Sequence, residues 1–199
     1  MNRVVAVVGM CGSGKSVATD LFVANHWEKV YFGGVTLDTL KERGMEITPD
    51  NERMIREELR EKYGQAAYAV KLLPKIKELL LAGNVVADGL YSWSEYKYLQ
   101  ENLEGALTIL CIISDRKDRY GRLENRPVRP LSAGEATGRD IAEIENLEKG
   151  GPIAIRFHSL VHRSKAIFHK FPSIPLSHRN LSVELPSVYS LHHRVCPIC

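Results

Sequence analysis

Four cysteines in 199 residues (Cys11, Cys111, Cys196 and Cys199) are too few and too scattered to staple a small secreted fold. No apolar run approaches the length needed to cross a bilayer, so no membrane is expected among the partners. The chain enters a strand-like run almost at once, without the charged, apolar and small-residue layout of a leader. A reducing cytoplasm is therefore the expected setting. Internal repeats are absent. Residues 156–199 lack glycine altogether and hold one acid, Glu184.

That last absence explains the charge. The chain carries a formal net charge of +3. Residues 1–155 hold 21 Lys and Arg against 23 Asp and Glu, a net of −2. Residues 156–199 hold 6 against 1, a net of +5, together with six of the seven histidines. The basic excess belongs to one segment, so the overall charge does not point to a nucleic-acid partner.

Against this background stands Gly9-Met-Cys-Gly-Ser-Gly-Lys15-Ser16. It fits G-x-x-x-x-G-K-[ST] at every fixed position. Average residue usage would produce four such positions by chance on the order of once in a hundred chains of this length. The context makes an accidental glycine turn rarer still. Val4-Val-Ala-Val-Val8 reads as a buried strand, and residues 17–23 read as a helix. Backbone N–H groups at such a strand–loop–helix junction form an anion cradle. Lys15 is expected to reach the β- and γ-phosphates of a nucleotide, and Ser16 to hold Mg²⁺.

The rest of residues 1–155 alternates strands with helices. Strands are expected at 28–32, 84–88 and 106–113, the last apolar on both faces. Thr36 is expected to cap a helix ending at Gly44, and Thr48-Pro49 to open another. Pro74 should kink or split the helix spanning 65–82. Ser92 and Glu95 form one capping box, Ser132 and Glu135 another, and Ser114 or Asp115 should cap the helix between them. This alternation implies an α/β fold, a parallel sheet with helices on both faces.

Two further groups carry chemistry. Asp88-Gly89 ends an apolar strand and should emerge on the same sheet edge as the glycine-rich loop, because ligands of open parallel sheets bind beyond the strands' carboxyl ends. A carboxylate there can hold Mg²⁺ or orient an attacking hydroxyl; otherwise it is a simple Asp-Gly turn. Arg116, Arg119, Arg122, Arg126, Arg129 and Arg139 crowd the segment after the fourth strand. The spacing of Arg119, Arg122 and Arg126 puts all three on one helical face. They are either a cationic lid over a transferring phosphoryl group or a solvated face paired with Asp115, Asp118 and Glu124.

On these motifs, residues 1–155 resemble the nucleoside-monophosphate-kinase-like P-loop phosphotransferases. Within them they look most like dephospho-CoA kinase-like proteins, or P-loop ATPases. The resemblance implies a three-layer P-loop NTPase sandwich with a lid at 116–139 and acceptor-binding helices at 33–64. It implies ATP and Mg²⁺ as cofactors and a nucleotide-like acceptor. The nucleotide would contact Gly9, Cys11, Gly12, Ser13, Gly14, Lys15, Ser16, Arg119 and Arg126. Lys15, Asp88, Arg122 and Arg139 would act in catalysis, with Ser16 and Asp88 at the metal. The chain also departs from these relatives. Dephospho-CoA kinases carry Asp-x-Asp after the second strand, where this chain has Phe32-Gly33-Gly34 and its nearest acid is Asp38. Adenylate kinases place an arginine soon after Asp-Gly, where this chain has Leu90-Tyr91-Ser92. An ATP-hydrolysing switch and a nucleotide-binding protein without catalysis stay open beside the kinase.

The relatives would continue past Ile155 with a further strand, a turn and a helix. Here the sequence turns to Arg156-Phe-His-Ser159 and a proline-containing basic run. The abrupt shift points to a change of reading frame near residue 155, which the nucleotide sequence tests. The competing reading is a basic extension. In it, His192, His193, Cys196 and Cys199 offer half a zinc site, and no ordered nucleic-acid motif is present.

Overall fold

The computed structural model describes residues 2–127 and 130–145, with side chains through Glu143. The expectations for residues 156–199, and the role of Arg129, lie outside the described residues.

The strand Val4–Val8 (β1) is all β-branched or alanine, and each of its residues is at most 8% exposed. That is what a central strand covered on both faces demands. It is followed by the helix Lys15–Ala24 (α1), the strand Glu28–Tyr31 (β2), and the helices Gly34–Glu42 (α2), Pro49–Tyr63 (α3) and Ala67–Ala82 (α4). The strand Val85–Asp88 (β3), the helix Trp93–Asn102 (α5), the strand Leu107–Cys111 (β4) and the helices Arg116–Glu124 (α6) and Ala133–Glu145 (α7) complete the described chain. The four strands form one parallel sheet in the order β2-β3-β1-β4.

Alternation along the strands divides the core. Val4, Ala6, Val8, Val30, Val85 and Ala87 pack with Leu40, Ile55, Ile76 and Leu99 from α2–α5. Val5, Val7 and Val86 on the other face meet Ala18 and Phe22 of α1. Helices thus cover both faces of a parallel sheet, an α/β P-loop NTPase fold. The chain leaves β1 toward β2 on one side, and from β3 it crosses β1 to β4 on the other. The resulting crevice opens above the carboxyl end of β1.

Most caps form where the sequence places them. Thr48 Oγ1 accepts from Asn51 N at 3.2 Å, with Pro49 at the first helical position. Ser92 and Glu95 cap α5 reciprocally, and Ser132 and Glu135 do the same at α7.

Four expectations need correction. Thr36 lies inside α2, and its buried hydroxyl bonds the Tyr68 hydroxyl at 2.6 Å, so a tertiary partner outcompetes capping. Asp115 precedes α6 without a side-chain capping bond, and Ser114 Oγ accepts from Arg122 instead. The helix α4 is not split at Pro74 but runs on from Ala67 to Ala82. The strand β4 is shorter than the expected 106–113, and it is only partly buried because it is an edge of the sheet among the described residues.

Candidate active site

The loop between β1 and α1 is held from outside by cations. Lys15 Nζ donates to the carbonyls of Gly9 (2.8 Å) and Met10 (3.0 Å). Arg119 Nη1 donates to the Cys11 carbonyl at 3.0 Å. Arg122 Nη1 reaches the Gly12 carbonyl at 3.2 Å, the Ser13 carbonyl at 3.5 Å and Ser114 Oγ at 2.9 Å. The carbonyls of five consecutive loop residues are thus shared among three side chains. The approach of α6 is close. Gly12 has a φ of +77°, and a Cβ there would stand 2.7 Å from the Arg119 carbonyl, so this position requires glycine.

Arg119 and Arg122 therefore do share one helical face, directed at the loop. Arg126 does not join them, because α6 ends at Glu124 and Arg126 lies beyond its last turn. Arg119 is only 6% exposed, and its guanidinium forms a two-point pair with Asp140 of α7, which also accepts from the Tyr120 hydroxyl at 3.2 Å. Burial of Asp140 opposes its ionisation. The Arg119 hydrogen bonds and charge, with the Tyr120 bond, more than offset this and hold the carboxyl below the usual aspartate range. Arg119 thus joins α6, α7 and the loop.

Arg139 sits one residue before Asp140 and reaches Glu143 at 3.5 Å. Burial raises the Glu143 carboxyl above the ordinary glutamate range, with Arg139 and Lys15 opposing. Burial lowers the Lys15 ammonium, while the neighbouring Cys11, Glu143 and Asp88 act to hold its charge. Lys15 therefore feels the charges of Asp88, Arg139 and Glu143. Asp88 stands beside Val7 in register, two residues before Gly9, so the shared edge is observed. Its carboxylate is not idle: Lys29 Nζ of β2 lies 3.1 Å away.

Between the loop, the end of β4 and the start of α6 lies a cavity of about 280 Å³. It is lined by Gly9, Ser13, Ile112, Ser114 and Arg116, among others. Ser13 is 5% exposed and its hydroxyl has no hydrogen-bond partner among the described residues. Such a group normally has one, and an open cavity wall is where a ligand would supply it. Cys111, at the same end of β4, is pushed up to about 11 by burial, with Lys15 opposing, and stays a thiol.

Among the described residues no three His, Cys, Asp or Glu side chains gather as a metal cage. Mg²⁺ does not require one, since it keeps waters and phosphate oxygens and takes one or two protein oxygens. The Ser16 hydroxyl on the first turn of α1 and the Asp88 carboxylate are hard oxygen donors of that kind.

Residues 5–137 match the AAA domain. The chain is 35% identical to a UPF0200 protein of Methanococcus maripaludis over 62% of this chain and 67% of that protein. The chain belongs to the UPF0200 family. A UPF0200/UPF0201 protein of Archaeoglobus fulgidus is 30% identical over 74% of this chain, and the match spans only 43% of that longer relative. Among solved structures, that of TT1252 from Thermus thermophilus superposes with a TM-score of 0.53 at 15% identity, covering 74% of this chain and 83% of that one. At that identity the likeness concerns the fold, and it agrees with a P-loop domain.

Several residues of this UPF0200 site escaped sequence reasoning. Asp140 and Glu143 lie in a helix rich in acids, where nothing marks two of them as buried or coupled. The i, i+4 spacing of Arg139 and Glu143 was the one available clue.

Proposed function

We propose that the protein is an ATP-dependent phosphotransferase acting on a nucleotide or nucleotide-like acceptor, with dephospho-CoA and nucleoside monophosphates as the leading classes. The observation that carries the reading is that Asp88 stands on the same sheet edge as the loop that holds Lys15, a loop already clamped by α6. Transfer of a phosphoryl group needs positioned cations and an oriented nucleophile more than it needs covalent chemistry.

In this reading the triphosphate lies along residues 9–16 and the base enters the cavity walled by Ile112 and Ser13, whose hydroxyl gains its missing partner. Lys15 leaves the Gly9 and Met10 carbonyls for the β- and γ-phosphates. Arg139 and Arg122 face the charge that develops as the γ-phosphorus–oxygen bond to the β-phosphate breaks and the bond to the acceptor oxygen forms. Asp88 orients the acceptor oxygen; a hydroxyl acceptor gives its proton to the Asp88 carboxylate as that bond forms, and an ionised phosphate acceptor has none to give. Arg119 acts through the loop that it anchors. Ser16 and Asp88 are the residues that would hold Mg²⁺, which supplies charge neutralisation across the phosphates.

One observation favours a second reading, an ATP-hydrolysing switch. Glu143 is a largely buried carboxylate in the neighbourhood of Lys15, where it could position a water. Incubation with γ-labelled ATP and a panel of dephospho-CoA and nucleoside monophosphates separates the two. Label in one acceptor supports the kinase. Label in inorganic phosphate, equal with and without acceptors, supports the switch.

A further inference from the structure

Tyr31 ends β2 at the carboxyl edge of the sheet and is 51% exposed, although its ring is closely packed on one side. That side is glycine. A Cβ on Gly33 would stand 2.5 Å from the Tyr31 ring carbon Cζ and 2.4 Å from its hydroxyl. On Gly34 and Gly89 it would stand 3.6 Å and 3.5 Å from ring carbons. Two backbone segments, Gly33-Gly34 and Gly89, thus lie against one aromatic ring that is half exposed. Gly33 has φ −61° and ψ −22°, a backbone that any residue can adopt, so a side chain there would meet the Tyr31 ring, which would have to swing aside.

A carboxylate lies close to the same glycines. Asp38 Oδ2 is 3.9 Å from where the Gly34 Cβ would stand. The place in the sheet is also informative. Tyr31 is in register with Asp88, and Asp88 with Val7. Tyr31 therefore stands two strand spacings, about 10 Å, from the strand that leads into the phosphate loop. A molecule lying on the ring can extend across Asp88 toward Lys15.

We infer that Tyr31 is a stacking platform for the planar base of the acceptor, with Asp38 accepting a hydrogen bond from an N–H or hydroxyl of the same nucleoside. The inference rests on the phosphotransferase reading and narrows its acceptor to molecules with a flat heteroaromatic ring. A sugar or a simple carboxylic acid would leave the ring bare. A rigid aromatic face with its back fixed suits such a base, because little side-chain freedom is lost on stacking.

The test measures binding by titration calorimetry with the donor site filled by a non-hydrolysable ATP analogue. The probes are AMP, GMP, CMP, UMP and dephospho-CoA, with ribose 5-phosphate as the ring-free comparison. At least one base-bearing probe should bind, and ribose 5-phosphate should bind more weakly by about 10-fold or more. Tyr31→Leu should weaken the base-bearing probe by about 10-fold, and Tyr31→Phe should stay within about two-fold. Gly33→Ala, which leaves Tyr31 in the chain but pushes its ring aside, should match Tyr31→Leu. All three variants should keep the affinity for the ATP analogue, which shows that they fold. Equal binding of ribose 5-phosphate, no binding by any base-bearing probe, or full affinity in Tyr31→Leu overturns the platform while the donor site stands. Failure of the unaltered protein to bind the ATP analogue overturns the platform and the phosphotransferase reading together.

Discussion

One guanidinium nitrogen of Arg119 serves both the Cys11 carbonyl and the Asp140 carboxylate, each at 3.0 Å. Asp140 is thereby tied to the phosphate loop through a single side chain, and α7 cannot move away without disturbing that loop. The same arginine also lines the cavity beside the loop.

Because both partners are under one-tenth exposed, removing one strands a buried charge. Asp140→Asn should lower unfolding free energy by about 3 kcal/mol in urea titration near neutral pH. The Asp140 carboxyl is held below its ordinary range. Its stabilisation is therefore complete above the ordinary aspartate value of about 4 and is lost as pH falls through the depressed native value. The gap between Asp140→Asn and the unaltered protein should close in acid.

Lys15 is lowered chiefly by burial. It carries its charge below that lowered value and loses it as pH rises through it. Affinity for ATP, followed by titration across alkaline pH, should therefore fall before the ordinary lysine value of about 10.4 is reached. In Lys15→Ala the affinity should be weak and lack this fall.

The Asp88–Lys29 pair is a partly exposed contact, with the lysine side chain 36% exposed. Lys29→Met should change stability by less than about 1 kcal/mol. Asp88→Asn should likewise fold, yet lower the turnover number by about 100-fold or more if the carboxylate orients the acceptor. Urea titration and steady-state kinetics on the two variants check both halves.

The cap on α5 offers a purely structural comparison. Ser92→Ala removes the oxygen that receives Glu95 N at 3.1 Å and should cost about 1 kcal/mol in the same urea titration. It should leave ATP affinity unchanged.

Much of this fold is legible in the chain because the relevant signals are local. The run Val4–Val8, the glycine-lysine loop after it, Thr48-Pro49 and the two Ser-x-x-Glu boxes each depend on a few neighbouring residues, and each forms where the sequence places it. The shared edge of Asp88 and the loop was legible too, since parallel strands present their carboxyl ends together. What was not legible depends on contacts distant in sequence. Thr36 has the chemistry of a cap, but Tyr68 claims its hydroxyl across 32 residues. The pairing of Arg119 with Asp140 spans 21 residues and is just as invisible in the sequence. Tyr31 looks like an ordinary strand residue until Gly33, Gly34 and Gly89 are seen to lie beneath its ring.

The most direct measurement is ADP release in a coupled assay, run with the unaltered protein and Lys15→Ala, with and without each acceptor. The account predicts ADP only when one base-bearing acceptor is present, and none from Lys15→Ala. Release at the same rate without any acceptor, or a rate retained in Lys15→Ala, would contradict it.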